Sequence, residues 1–379
     1  MSYPQIDFLY LSEPDMIAAG VGDGAGCTDC MEELLKLLDE GRYRMGGDNG
    51  NSHGTMISFP DESPFPEMPL NAPDRRFMAM PAYVGGDVDM AGMKWYGSNV
   101  DNRDIGLPRS ILMLMLNDKK TGAPIALMSA NLLSAYRTAA IPGVGVKNLA
   151  REDAKVLGIV GPGVINTITV ETFAAVRPSL DTLKIKGRGQ ASIDRCIAYV
   201  KEHCPQFQNF IICDTLEECI RDSDIVNFAT STSMGAKIED YPFVKEEWIK
   251  PGALISVPGS ANFDEEFLIH RAKLVVDNIK LYEAWAEEYP YPTFKTVYIP
   301  GSKFMDMVHD GLMSKDHIDD LGAILNGKKS GRESEDQIVI YSVGGMPVED
   351  VAWGKQVYEN ALKQGIGTKL PLWERPLLY

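Results

Sequence analysis

Val156-Leu157-Gly158-Ile159-Val160 runs directly into Gly161-Pro162-Gly163-Val164-Ile165-Asn166, and a helix-compatible segment follows. A short apolar strand feeding a glycine turn and then a helix N-terminus is an arrangement that takes a dinucleotide. The glycines let the backbone approach a pyrophosphate, and helix N–H groups together with the helix dipole hold its charge. Gly161, Gly163, Val164, Ile165 and Asn166 are therefore the first cofactor-binding candidates, with Asn166 standing where the usual pattern has a third glycine. The competing reading, glycines that merely turn the chain, leaves the flanking strand and helix unexplained.

The same texture extends outward from this turn. Short apolar strands at 155–160, 182–185, 209–213, 225–228, 254–257 and 274–276 alternate with helical stretches, a rhythm that predicts a parallel, doubly wound Rossmann sheet. The second strand tests the cofactor. It ends Lys184-Ile185-Lys186-Gly187-Arg188, with no carboxylate for the ribose hydroxyls of NAD(H). Lys186 and Arg188, around Gly187, suit a 2′-phosphate, so NADP(H) is favoured over NAD(H); the alternative is a pair of solvated turn residues.

Residues before this region read differently. A strand at 8–11, a helix at 27–40 and a Gly/Asn-rich loop at 45–54 precede alternating segments at 77–81, 90–96, 110–117 and 124–129, with Lys119-Lys120-Thr121-Gly122 as a hairpin turn. They predict a mixed or antiparallel sheet. A helix rich in small residues spans 130–149; a strand at 338–342 and a helix at 348–364 lead to the polar and aromatic end TKLPLWERPLLY. The fold class is thus α/β, a Rossmann sheet plus a mixed α+β domain, divided as 1–135 with 346–379 and as 136–345.

Composition narrows the function classes. With 37 Lys+Arg against 53 Asp+Glu the net charge is -16, which argues against sequence-independent nucleic-acid binding by counterion release. The longest apolar run, 111–116, is far shorter than a membrane span. The N-terminus shows neither a basic leader nor an apolar h-region, so a cytoplasmic protein is expected. Cys27 and Cys30 form a C-x-x-C, but inside the first turns of a helix and without a second ligand pair; the remaining Cys and the His residues are scattered, so no metal is expected.

The run Met78-Ala79-Met80-Pro81-Ala82-Tyr83, then Gly92-Met93-Lys94-Trp95, Gly106-Leu107-Pro108, Thr121-Gly122-Ala123-Pro124, Arg137-Thr138-Ala139-Ala140 and Ser342-Val343-Gly344-Gly345-Met346-Pro347-Val348-Glu349-Asp350 resembles the ornithine cyclodeaminase/mu-crystallin family over nearly the whole chain. The resemblance implies a homodimeric NAD(P)-dependent enzyme in which the first domain binds substrate and dimerises. The shared step is hydride transfer at the α-carbon of an amino or imino acid, as in ketimine reductases and amino-acid or opine-type dehydrogenases. By position, Lys94 and Arg137 match the substrate-binding pair to which catalysis is assigned. Thr138, Thr230 with Ser231, Val257-Pro258-Gly259 and Ser342 fall where the cofactor is contacted. Those residue types suit the step: Arg137 offers a fork for a carboxylate, and Lys94, desolvated beside it, can act as an acid/base of lowered pKa. Bland alternatives are a locally bonded helix Arg and a solvated strand Lys.

Two departures from the family pattern stand out. The strand at 254–257 is followed by Pro258-Gly259-Ser260-Ala261-Asn262-Phe263-Asp264, with Ala261 where cyclodeaminases place a catalytic aspartate; Asp264 is expected to cap the next helix. This puts ornithine cyclisation in doubt, although ornithine cyclodeaminase, with bound NAD, remains the alternative, as does a non-catalytic mu-crystallin-like binder. Arg109 follows Gly-Leu-Pro where relatives carry a small hydroxyl residue, and His53 stands where they carry a substrate arginine. With Arg75 and Arg76, these residues suggest a substrate bearing an extra carboxylate or phosphate; the alternative pairs Arg109 with a local acid such as Asp104 or with the cofactor phosphates.

Overall fold

The computed structural model describes residues 5–230 and 237–378. The chain folds into two compact units: Met1–Asp23, Gly41–Arg137 and Met346–Tyr379 form one, Gly24–Glu40 and Thr138–Gly345 the other. Residues 24–40, expected with the first domain, group with the second. The reason is the helix Gly24–Asp39, whose buried stripe of Cys27, Met31, Leu34, Leu35 and Leu38 packs on the helices Val164–Val176 and Leu321–Leu325.

The first unit is built on an eight-stranded mixed sheet. Its order is Thr368–Trp373, Ile6–Leu11, Pro124–Ser129, Ser110–Asn117, Met90–Ser98, Arg76–Val84 and Tyr43–Met45, with Thr55–Ser58 also paired to Arg76–Val84. Cross-strand register aligns Met80 with Lys94 and Lys94 with Leu114. Since side chains alternate along a strand, Gly92, Lys94, Tyr96 and Ser98 share one face. Against that face lies the helix Pro347–Gln364, which opens with proline and the acids Glu349 and Asp350 and ends at Gly365 in the left-handed region. Glycine permits the close approach: a Cβ at Gly92 would lie 3.2 Å from Val351 Cγ2 and 2.7 Å from the Met115 carbonyl oxygen.

Three segments of this sheet escaped the sequence reading, the short strand Thr55–Ser58 among them. The end of the chain, read only as polar and aromatic, forms the edge strand Thr368–Trp373, antiparallel to Ile6–Leu11. Pro371 lacks an N–H and is tolerated at such an edge. The Gly/Asn-rich loop begins with the strand Tyr43–Met45 and closes through a bridge between Gly46 and Ser52.

The second unit holds eight parallel strands in the order Asn209–Ile212, Thr182–Lys186, Val156–Val160, Ile225–Phe228, Leu254–Val257, Ile338–Ser342, Ala272–Val276 and Ile318–Asp320. The first five follow the Rossmann order, reversing direction beside Val156–Val160. The central strands Val156–Val160, Ile225–Phe228 and Leu254–Val257 are buried almost throughout, as a sheet covered on both faces requires, whereas the edge strand Asn209–Ile212 is largely exposed. The helix Asn131–Leu149 enters this unit at Thr138 and packs tightly through its small residues: a Cβ at Gly145 would stand 2.5 Å from the ring of Tyr341. No helix among the described residues is long and apolar enough to cross a membrane.

Candidate active site

In the first unit, Lys94 projects from the sheet beneath the helix Pro347–Gln364 and is 2% exposed. Its Nζ donates to Asp350 Oδ2 at 2.7 Å and to Ser134 Oγ at 3.2 Å. Arg137, on the helix Asn131–Leu149, reaches the same place. Its Nε donates to Asp350 Oδ1 at 3.0 Å, Nη1 to Glu349 Oε2 at 2.6 Å, and Nη2 to Ser134 Oγ at 3.4 Å. Asp350 thus bridges the two cations, and both acids are fully buried. Sequence reasoning found Lys94 and Arg137 but overlooked Glu349, Asp350 and Ser134. The available signal was Val348-Glu349-Asp350-Val351-Ala352, adjacent acids at the start of an otherwise apolar helix face.

The electrostatics follow from burial. Loss of solvent, then the neighbouring Arg137 cation, lower the Lys94 ammonium from its ordinary value to about 8, although Asp350 and Glu349 pull the other way. Burial also works against the Arg137 charge, but Asp350 and Glu349 outweigh it and raise its pKa, so the guanidinium stays charged. The cluster therefore combines a permanent cation with an amine lowered to about 8.

Further along the same sheet face, Arg76 and Arg109 gather on one carboxylate. Arg76 Nη1 donates to Asp74 Oδ1, and Arg109 Nε lies 3.1 Å from Asp74 Oδ2. Ser98 Oγ donates to Asp74 Oδ2 at 2.7 Å and accepts from Ser110 Oγ at 2.9 Å. Arg109 thus pairs with a local acid, Asp74, while Arg75 turns to Asp101 at 2.9 Å. His53 is half-buried in the loop before Thr55–Ser58. A Cβ on the next residue, Gly54, would stand 3.0 Å from Met80 Cγ, so this loop runs beside the cross-strand partner of Lys94.

In the second unit the cofactor candidates gather at the carboxyl ends of the parallel strands, where dinucleotides bind. Gly161 has φ +89, and a Cβ there would meet the Ala229 carbonyl oxygen at 3.0 Å, so only glycine fits. The helix Val164–Val176 starts at Gly163 with no side chain capping it, and a Cβ at Gly163 would meet nothing within 4 Å. Open space over uncapped N–H groups of Val164 and Ile165 fits a pyrophosphate. Asn166 plays another part: it is fully buried, donates to the carbonyls of Val160 at 2.9 Å and Gly161 at 3.0 Å, and accepts from Asn227 at 2.6 Å. Its side chain supports the turn from below instead of facing that open side.

Gly187 abuts the turn, since a Cβ there would lie 2.8 Å from Pro162, and Gly161 N–H donates to the Lys186 carbonyl at 2.9 Å. This sets Lys186 and Arg188 beside the glycines; Lys186 Nζ donates to the Asp214 carbonyl at 2.6 Å, and Arg188 is exposed. Thr230 Oγ1 bonds Ser260 Oγ at 3.1 Å. Gly259 lies so close that a Cβ would touch the Thr230 backbone at 3.0 Å, which places Val257-Pro258-Gly259 against Thr230. Ser342 Oγ accepts from Gly301 N–H at 2.8 Å and bonds the Tyr282 hydroxyl at 3.2 Å. Thr138 is half-buried, and Ser231 lies outside the described residues. Ala261 is fully buried, and Asp264 caps the helix Glu265–His270 by accepting from Phe267 N–H at 3.3 Å.

The sequence model of the ornithine cyclodeaminase/mu-crystallin family matches residues 25–365. The chain belongs to that family. It is 29% identical to the N-((2S)-2-amino-2-carboxyethyl)-L-glutamate dehydrogenase of Staphylococcus aureus, over 97% of this chain and 99% of that protein. It is 30% identical to the alanine dehydrogenase of Archaeoglobus fulgidus, over 77% of this chain and 82% of that one. Among solved structures, the Δ1-pyrroline-2-carboxylate reductase of Thermococcus litoralis, in complex with NADH and L-proline, superposes with a TM-score of 0.74 at 25% identity, covering 95% of this chain and 99% of that one. The family members this chain matches include NAD(P)-dependent dehydrogenases and reductases of amino and imino acids beside cyclodeaminases, and this chain is an oxidoreductase of the former class.

Removing the shared acid tests the cluster. Asp350→Ala leaves Lys94 and Arg137 buried without their common partner, and the expected loss is roughly 3–5 kcal/mol of unfolding free energy. Urea titration reads it as a lower midpoint at constant slope; a midpoint equal to wild type would show that Asp350 does not hold the pair.

Proposed function

We propose that the protein is an NADP(H)-preferring oxidoreductase that transfers hydride at the α-carbon of an amino or imino acid, most closely in the manner of an opine-type dehydrogenase acting on a secondary amine. The observation that carries this reading is the buried Lys94–Arg137 pair fastened by Asp350. A non-catalytic binder has no need of a desolvated amine that titrates near pH 8. The Staphylococcus aureus relative, named for an N-substituted glutamate, supports a nitrogen carried between two acid-bearing groups.

When bound, the nicotinamide cofactor supplies or accepts the hydride. The chain's own residues do the remainder. Of the five N–H donors of Arg137, Asp350, Glu349 and Ser134 take three, and the guanidinium fork orients the substrate carboxylate. In the reductive direction the C=N carbon of an iminium gains the hydride, its π pair moves to nitrogen, and the neutral amine so formed takes a proton from Lys94 Nζ. Oxidation reverses this, with Lys94 as the base. A pKa close to the working pH keeps both roles accessible. Ornithine cyclisation stands second, since the loop after Leu254–Val257 holds Ala261 in place of a carboxylate.

Lys186 and Arg188 beside the glycine turn support the 2′-phosphate of NADP(H). The first sheet supports a homodimer: Phe77 and Trp95 stack at 5.8 Å on the face opposite Lys94, and with Ile111 and Met113 they remain 38–49% exposed, an apolar patch suited to a second copy.

Three measurements follow. Oxidation of NADPH with 2-oxo acid and amine pairs should give a kcat/KM that falls as pH rises through about 8, where Lys94 loses its proton, and Lys94→Met should abolish that ionisation along with most activity; no turnover with any pair, beside ornithine-dependent ammonia release, would overturn the reading. Arg188→Ala should lower the NADPH-over-NADH preference by about tenfold, the worth of one charge-assisted contact, and an unaltered preference would reject the 2′-phosphate role. Sedimentation should find a dimer for wild type and a monomer for Trp95→Glu, whereas a wild-type monomer would remove the dimer.

A further inference from the structure

The first unit places a second cationic group at a measured reach from Lys94. The ring of Tyr96 neighbours both: Lys94 Nζ is 5.8 Å from its centroid and Arg76 Cζ is 5.9 Å. The two charges are therefore no farther apart than the sum of those distances, about 11.7 Å. Both belong to the same sheet face, since Arg76 pairs with Ser98, which alternates in phase with Lys94. Arg109, in the bend just before the strand Ser110–Asn117, reaches the same Asp74, and the next residue, Ser110, pairs with Ser98.

This group is built rather than incidental. Asp74 has φ 59, an uncommon backbone state for a residue other than glycine. It is kept there while receiving Arg76, Arg109 and the Ser98 hydroxyl, which Ser110 orients in turn. The result is two guanidinium groups converging on one carboxylate, one from a strand and one from the bend ahead of another, with side chains 23% and 38% exposed, in contrast to the closed Lys94 cluster.

Resting on the reading that Arg137 holds the α-carboxylate while Lys94 faces the substrate nitrogen, we infer that Arg76 and Arg109 form a second anion subsite that receives another carboxylate of the same substrate. The preferred substrates are then dicarboxylic. A hydrogen bond sets the substrate nitrogen roughly 3 Å from Lys94 Nζ, and a charge-assisted bond sets the second carboxylate carbon roughly 3.5–4 Å from Arg76 Cζ. Along the line bounded above, at most about 5 Å then separates nitrogen from carboxylate carbon, three to four bonds at roughly 1.3 Å of advance per bond. Aspartate-like and glutamate-like skeletons, and the imines formed from oxaloacetate or 2-oxoglutarate, have that span. Simple 2-oxo monoacids leave the subsite empty.

The test uses the full-length enzyme with NADPH and an amine donor. It compares 2-oxoglutarate and oxaloacetate with 2-oxopentanoate and 2-oxobutyrate, which resemble them in chain length but lack the second carboxylate, and with a 2-oxo acid bearing a phosphate. Wild type should prefer the dicarboxylates at least tenfold in kcat/KM. Arg109→Ala should reduce that ratio at least tenfold, chiefly through KM, and Arg109→Lys should restore part of it. A simple loss of folding lowers all substrates together and leaves the ratio intact. An unchanged ratio in Arg109→Ala at wild-type activity on the monoacids, a preference for monoacids, or a preference for the phosphate would each overturn the subsite while leaving the oxidoreductase reading standing. Calorimetric titration of 2-oxoglutarate and 2-oxopentanoate in the presence of NADP+ separates the two claims. Tighter dicarboxylate binding that weakens in Arg109→Ala without any turnover supports the subsite and overturns the catalytic reading; equal binding of both acids overturns the subsite.

Discussion

Four buried charges organise the first unit. Lys94 comes from the middle of a strand, Arg137 from the helix Asn131–Leu149, and Glu349 with Asp350 from the first turn of the helix Pro347–Gln364. Taking such groups out of water costs several kcal/mol each, and mutual attraction repays this only where geometry and hydrogen bonding are nearly complete. The arrangement meets that demand: Asp350 offers one oxygen to each cation, Glu349 takes a second arm of the guanidinium, and Ser134 lies within reach of both. Such a cluster is weak evidence for stability against an apolar core of equal volume. It is stronger evidence that the site needs an amine and a guanidinium held in one place.

The glycine turn of the second unit reaches a comparable end by subtraction. Removing side chains at Gly161 and Gly163 opens the helix N-terminus, while Asn166 and Asn227 fasten the turn from the buried side. Where the familiar pattern closes helix on strand with a third glycine, here a side-chain amide bonds the carbonyls at the strand's end. The missing glycine therefore weakens the sequence motif without weakening the cradle, because the feature the ligand would meet is the uncapped backbone.

Much of the fold was legible because it depends on local periodicity. The strand-and-helix rhythm after residue 155 needs only alternating apolar runs and turns, and the observed strand Pro124–Ser129 coincides with its expected bounds. What stayed illegible depends on distant partners. Nothing local marks Thr368–Trp373 as a strand, since all its residues are exposed and its pairing with Ile6–Leu11 joins opposite ends of the chain. The helix Gly24–Asp39 was recognisable as amphipathic, but its stripe does not say which unit it covers. For the site, the cations were legible by residue type and resemblance, whereas their counter-ions were not. Asp74, Glu349 and Asp350 are ordinary acids in sequence, and only the three-dimensional pairing separates them from the other acidic residues.

That pairing revises how an acidic protein handles anions. The net charge of -16 invites the picture of basic working parts set into an acidic surface. Instead, the basic residues assigned to substrate carry their own carboxylates: Lys94 and Arg137 share Asp350, and Arg76 and Arg109 share Asp74. A carboxylate beside a cation lowers the local potential and so costs some attraction for an incoming anion. It also fixes the cation's direction before the ligand arrives, removing side-chain entropy from the binding step. For a small substrate that must be aimed at hydride distance, orientation governs rate more than affinity does. On the proposed reading the two clusters divide this task by burial: the closed one sets the protonation state at Lys94, and the open one, where Arg109 is still 38% exposed, exchanges its partner for a ligand.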